Sequence, residues 1–66
     1  MQIIVNGEPR RIDAETSVAQ LLDALNLTGK PVAVEANLEI VPHARHADHI
    51  LAEGDRLEIV TLVGGG

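Results

Sequence analysis

Only one stretch of this chain, Ser17 to Leu25, is patterned for a helix, and the segments on either side of it are patterned for strands. Val18, Leu21, Leu22 and Leu25 fall at i, i+3, i+4 and i+7, which makes a single apolar face. Ser17 has the side-chain oxygen to cap the first turn, and Gln20 three residues on completes a capping box. Asn26 to Gly29 ends the helix. A lone amphipathic helix must bury its stripe against another layer, and here only a sheet can supply one.

The strands are punctuated as sharply as the helix. Gln2 to Val5 reads as the first, and Asn6-Gly7 marks a two-residue hairpin whose central positions both need positive φ. Glu8 to Ile12 returns, and Pro9, which cannot donate to a ladder, places that strand at a sheet edge. After Pro31, Val32 to Ala36 forms a strand with Val32, Val34 and Ala36 on one face and Ala33 and Glu35 on the other. Asn37 turns the chain into a short strand, Glu39 to Val41, stopped by Pro42. His43 to Ala52 reads as loop with a short helical turn, ended by Gly54-Asp55. Arg56 to Val63 is the last strand. Placed side by side, the first and last strands run parallel with the helix in their crossover. The expected class is α+β, a β-grasp with a mixed sheet packed on one main helix.

Composition narrows what such a fold can do. At 66 residues the chain makes one domain. Folding at this size buries only about 60% of the surface that the unfolded chain exposes. Aromatic residues are absent, so the core is aliphatic. So thin a core leaves little room for an enclosed substrate pocket of about 300 Å³ or more, which argues against a self-contained enzyme. With no cysteine there is no disulfide, thiolate metal site or Cys nucleophile. The expected compartment is the cytoplasm: the start, Met1 to Gly7, lacks the pattern of a signal peptide. No apolar run approaches the roughly 20 residues that span a bilayer, so no membrane partner is expected. A net charge of -5 repels phosphate backbones and points to a basic protein partner rather than nucleic acid.

The feature with chemical promise is the end of the sequence, Thr61-Leu62-Val63-Gly64-Gly65-Gly66. A strand running into glycines projects an arm without side chains from a rigid body, able to enter a narrow channel. Residues 1–63 are expected to form the domain and 64–66 a flexible glycine tail. A carboxylate on Gly66 has no Cβ beside it to crowd an attacking group. ATP would activate it as an acyl adenylate, and sulfur would convert that to a thiocarboxylate. The plainer alternative is a frayed end without a task.

Body and tail together resemble the ThiS family of sulfur carriers, within the ubiquitin-like β-grasp group, over nearly the whole chain. The resemblance rests on Met1-Gln2-Ile3 with Asn6-Gly7-Glu8, Ser17-Val18 with Leu21-Leu22, and Val32-Ala33-Val34-Glu35 with Asn37. It continues through Ile40-Val41-Pro42, Gly54-Asp55 and Glu58-Ile59-Val60 into Val63-Gly64-Gly65-Gly66. The chain departs at position 43, where many members carry a basic residue and this one has His43. The resemblance implies that a ThiF-type enzyme adenylates Gly66 with ATP and magnesium, no cofactor being bound by the carrier itself. A sulfur donor fed by a cysteine desulfurase would then load it. Gly64 and Gly65 would thread the tail into partners, and the sulfur would pass to the thiazole synthase ThiG for thiamine biosynthesis. With the sequence ending at Gly66, no trimming is expected.

A tail needs a docking face beside it. In the last strand Leu57 and Ile59 share one parity while Glu58, Val60 and Leu62 share the other. With Leu57 and Ile59 on the helix, Glu58, Val60 and Leu62 take the open face with Ile4, as a partner-docking patch. The alternative is that these residues merely fill surface.

Other residues invite chemistry less well. His43, His46 and His49 cannot share one helical face at their spacing, and even two of them with Asp48 leave a zinc set incomplete. They read as solvated loop histidines, and no metal site is expected. Glu35, Glu39, Glu53, Asp55 and Glu58 form no acid–base pair by spacing, and Asp55 reads as a turn residue. Rival readings are the carrier subunit of molybdopterin synthase, a modifier joined to lysines through Gly66, and a β-grasp binding module, for instance for RNA.

Overall fold

The structure is a computed structural model and describes residues 1–62. Its elements in chain order are β1 (Gln2–Val5), β2 (Glu8–Arg11), α1 (Val18–Ala24), β3 (Val32–Ala36), β4 (Glu39–Ile40) and β5 (Arg56–Thr61). The strands form one five-stranded sheet in the order β2-β1-β5-β3-β4. β1 and β5 are parallel, while β1 and β2, β3 and β5, and β3 and β4 are antiparallel. This mixed sheet with one helix is the expected β-grasp. The domain limit expected at Val63 and the glycine segment 64–66 fall outside the described residues.

The local signals act as their chemistry dictates. Asn6 and Gly7 both take positive φ, 50° and 83°, and the hairpin they make sets the register Val5 to Glu8. Ile12 N–H donates to Met1 O, so by alternation Glu8 and Arg10 bond inward and Pro9 faces outward. The edge thus carries its proline where the missing N–H leaves no ladder bond unmade. At α1 the Ser17 hydroxyl accepts from Gln20 N–H at 3.1 Å, and Ser17 N–H donates to Gln20 Oε1 at 2.9 Å. Both halves of the capping box are present.

The core lies between the helix and one face of the sheet. It gathers Ile3 from β1, Val18, Leu21 and Leu22 from α1, Val34 and Ala36 from β3, and Leu57 and Ile59 from β5. Val41 and Leu51 complete it from outside the regular elements. Leu25, the last residue of the helical stripe, packs on its margin and is only partly buried.

Three strand ends differ from the sequence reading. β2 stops at Arg11 and β4 at Ile40, although Ile12 and Val41 each add one further ladder bond, to Met1 O and Val34 O. β5 is regular to Thr61, and the part of that expectation that includes Val63 is not described. The segment 43–52 holds the expected short helical turn and is also tied to the start of the helix. His43–Arg45 is a short 3₁₀ turn, Ile50 bridges Ser17, and Leu51 N–H donates to Thr16 O at 2.8 Å. Its carbonyls at His46 and His49 accept the N–H groups of Ala19 and Val18, both at 2.9 Å. These are first-turn donors that the helix cannot satisfy by itself.

Ser17 is buried, so replacing it removes a cap that water cannot readily replace. Ser17→Ala is expected to cost about 1 kcal/mol. In a domain of this size that lowers the thermal midpoint by about 4–8 °C in a circular-dichroism melt.

Candidate functional site

β5 is the middle strand of the sheet and the one that leads towards the glycines, so its two faces divide the labour of the molecule. Leu57 and Ile59 point to the helix and are 1% and 8% exposed. Glu58, Val60 and Leu62 are exposed, Val60 at 57% and Leu62 at 52%, and Ile4 is half-buried. Register puts Val60 opposite Ala33, Glu58 opposite Glu35, and Ile4 beside Arg56, all on the face away from the helix. Ile4 and Glu58 line one shallow groove with Arg56 and Leu38. The structure therefore gathers Ile4, Glu58, Val60 and Leu62 on one side of the sheet. Gly64, Gly65 and Gly66 lie outside the described residues.

The charge on this face is concentrated. Glu35 and Glu58 are direct cross-strand partners, an arrangement of like charges that costs rather than stabilises. On the far side of Glu35 stands Ile40, its partner in β4, 73% exposed. Arg56, two residues before Glu58 in β5, lies on the same face and in the same groove, so both signs of charge stand there between aliphatic side chains.

Two features of this face are not anticipated from the sequence. Ile40 joins it because Val41 is drawn into the core, which turns its neighbour outward. Leu38 is the second. Asn37 and Leu38 both adopt positive φ, 53° and 72°, in the turn between β3 and β4. Such a turn normally carries glycine at its second position. Here a leucine is held in a left-handed conformation that costs roughly 1–2 kcal/mol, with its side chain 91% exposed. The legible signal was Asn-Leu standing where Asn-Gly would fit the backbone. The turn thus holds an exposed apolar side chain beside the groove at a cost in backbone strain.

The histidines need one correction. His46 is not solvated: it is 6% exposed, and its Nε2 lies 3.1 Å from Val41 O. The wrap of 43–52 over the helix start draws it inward, and its ring sits 5.1 Å from that of His43. His43 is exposed and His49 half-buried. Among the described residues, no three His, Asp or Glu side chains are grouped to hold a metal ion. Asp55 acts within its turn, as its sequence context suggests. Its Oδ2 accepts from Ala52 N–H at 2.8 Å and its Oδ1 from Asn37 Nδ2 at 3.0 Å.

If Leu38 serves a partner and not the fold, Leu38→Gly leaves stability unchanged or raises it by up to about 1 kcal/mol, strain relief exceeding the entropy of glycine. Urea denaturation checks this. A loss of stability would mean that Leu38 has a structural role.

Comparison with known proteins places this arrangement. The sequence model described as the ThiS family matches residues 3–66. A thiazole synthase of Paramagnetospirillum magneticum is 46% identical over 66 residues, all of this chain and 20% of that protein. The chain thus spans about a fifth of the length of the thiazole synthases that it matches. The sulfur carrier protein ThiS of Escherichia coli is 32% identical over 66 residues, the full length of both. The crystal structure of a thiamine biosynthesis protein (ThiS) from Geobacter metallireducens superposes with a TM-score of 0.84 at 32% identity, covering all of both chains. The chain belongs to the ThiS family.

Proposed function

We propose that this chain is a sulfur carrier for thiamine biosynthesis, and that the group it carries sulfur on is the carboxylate of Gly66. The observation that carries the reading is the family match, which runs to residue 66 and so includes Gly64-Gly65-Gly66. The chain is a substrate, and catalysis belongs to its partners. An adenylating enzyme of the ThiF type brings ATP and magnesium. A carboxylate oxygen of Gly66 attacks the α-phosphorus, pyrophosphate leaves, and an acyl adenylate results. A persulfide, formed from cysteine by a desulfurase, then displaces AMP to give an acyl disulfide, and a second thiol attacks the donor-side sulfur, leaving the thiocarboxylate and a disulfide.

The acceptor in this reading is a thiazole synthase. Support comes from thiazole synthases that contain a segment similar to this chain over its whole length. Such proteins join a carrier-like segment to the synthase in one polypeptide. In this reading the carrier part presents its tail to the synthase part through the open face of its sheet. Docking uses the open face: Ile4, Val60 and Leu62 supply apolar contact, while Glu58, beside Glu35, meets a basic side chain. Gly64 and Gly65 pass through the channel of the partner, where a Cβ would obstruct.

Deletion of Gly66 is expected to abolish ATP–pyrophosphate exchange by the adenylating enzyme while leaving the circular-dichroism melt of the carrier unchanged. A truncated chain that still supports exchange would place the reacting group elsewhere. Glu58→Lys is expected to weaken the same enzyme's apparent affinity for the carrier about tenfold or more, the scale set by losing a charge pair and gaining a like-charge contact. Unchanged affinity would remove Glu58 from the docking surface.

A further inference from the structure

β1 and β5 are paired over a very short distance. Their register runs only through Ile4 with Arg56 and Val5 with Leu57. Ile4 N–H donates to Asp55 O at 2.9 Å and Asn6 N–H to Leu57 O at 2.8 Å, and then the chain turns away into β2. In β5 the odd-numbered residues direct their backbone groups to this side. The even-numbered ones face β3, as the bonds Asn37 N to Arg56 O and Leu62 N to Pro31 O require. The next backbone on the β1 side is therefore that of Ile59, and no β1 residue remains to meet it.

The side chain of Asn6 meets it instead. Ile59 N–H donates to Asn6 Oδ1 at 2.7 Å, and Asn6 Nδ2 donates to Ile59 O at 3.1 Å. The carboxamide thus stands in for a missing peptide unit and extends β1 by one pairing position. Only an amide can do both, since a carboxylate lacks the donor and a hydroxyl lacks the span. The same residue occupies the left-handed position of the hairpin, with φ at 50°. One asparagine therefore fixes both the turn that ends β1 and the last point at which β5 is held from that side. Past Ile59 come Val60, Thr61, Leu62 and Val63, and after them the glycines.

We infer that Asn6 is a positioning residue for the carrier's tail, aiming the segment from Val60 towards Gly66 by clamping the backbone of Ile59. This rests on the carrier reading above. Asn6 touches no reacting group and acts through β5. Freed of the clamp, β5 after Leu57 would be held by β3 alone, and the tail would sample directions that miss the channel of a partner. The loss would appear in how well the activating enzyme captures the carrier, not in the rate once the tail is seated.

The test uses the full chain with Asn6→Gly and Asn6→Asp. Glycine and aspartate both accept the left-handed turn, so the hairpin survives in each. Glycine removes the clamp entirely, whereas aspartate keeps the shape and the acceptor but loses the donor to Ile59 O. By amide hydrogen exchange followed by NMR, Asn6→Gly is expected to speed exchange at Ile59 about tenfold or more, with Val34 unaffected. In steady-state adenylation, KM for the carrier is expected to rise several-fold in both variants, with kcat within about twofold of the parent. An Ile59 amide as protected in Asn6→Gly as in the parent would overturn the clamp. A freed Ile59 with unchanged KM would overturn its positioning role while the carrier reading stands. Failure of the unsubstituted chain to be adenylated would instead overturn the carrier reading, and the positioning role with it.

Discussion

The parallel contact between β1 and β5 is the constraint on which the rest of this molecule depends. It joins residues more than fifty positions apart in sequence, through Ile4 with Arg56 and Val5 with Leu57. Parallel neighbours cannot be joined by a tight turn, so the intervening chain must cross over, and α1 is what crosses. Once β5 lies between β1 and β3, Leu57 and Ile59 are committed to the helix side by the pleat. Glu58 and Val60 are then committed to the other. The core and the open face are two consequences of one register.

Asparagine side chains hold β5 on both of its flanks in addition to the ladders. Asn37 N–H donates to Arg56 O, its Oδ1 accepts from Arg56 N–H, and its Nδ2 reaches Asp55. Asn6 does the equivalent at Ile59. Both asparagines sit in turns with positive φ, where asparagine is tolerated, and both use the side chain to pair with β5. Among the described residues no buried side-chain nitrogen or oxygen lacks a hydrogen-bond partner. A chain without aromatics or disulfides has little other means of specifying one sheet order.

Much of this was legible in the sequence because local chemistry and global fold agree. Asn6-Gly7, Pro9, the Ser17–Gln20 box and the alternation of Val32, Val34 and Ala36 each name their element without help from distant residues. What escaped was set by tertiary contact. The segment 43–52 carries no periodic pattern, and it is ordered by giving its carbonyls to the start of α1, which buries His46. The open face was half legible: the parity of β5 named Glu58, Val60 and Leu62, but Leu38 and Ile40 required the turn geometry between β3 and β4. The Asn6 clamp was invisible, because its partner Ile59 lies at the other end of the chain.

The most direct test of the account is the intact mass of the carrier after incubation with a ThiF-type enzyme, ATP and a sulfur donor. The account predicts a gain equal to replacing one oxygen by sulfur, mapped by fragmentation to Gly66. An unchanged mass, with an enzyme proven active on another ThiS-family carrier, would contradict it.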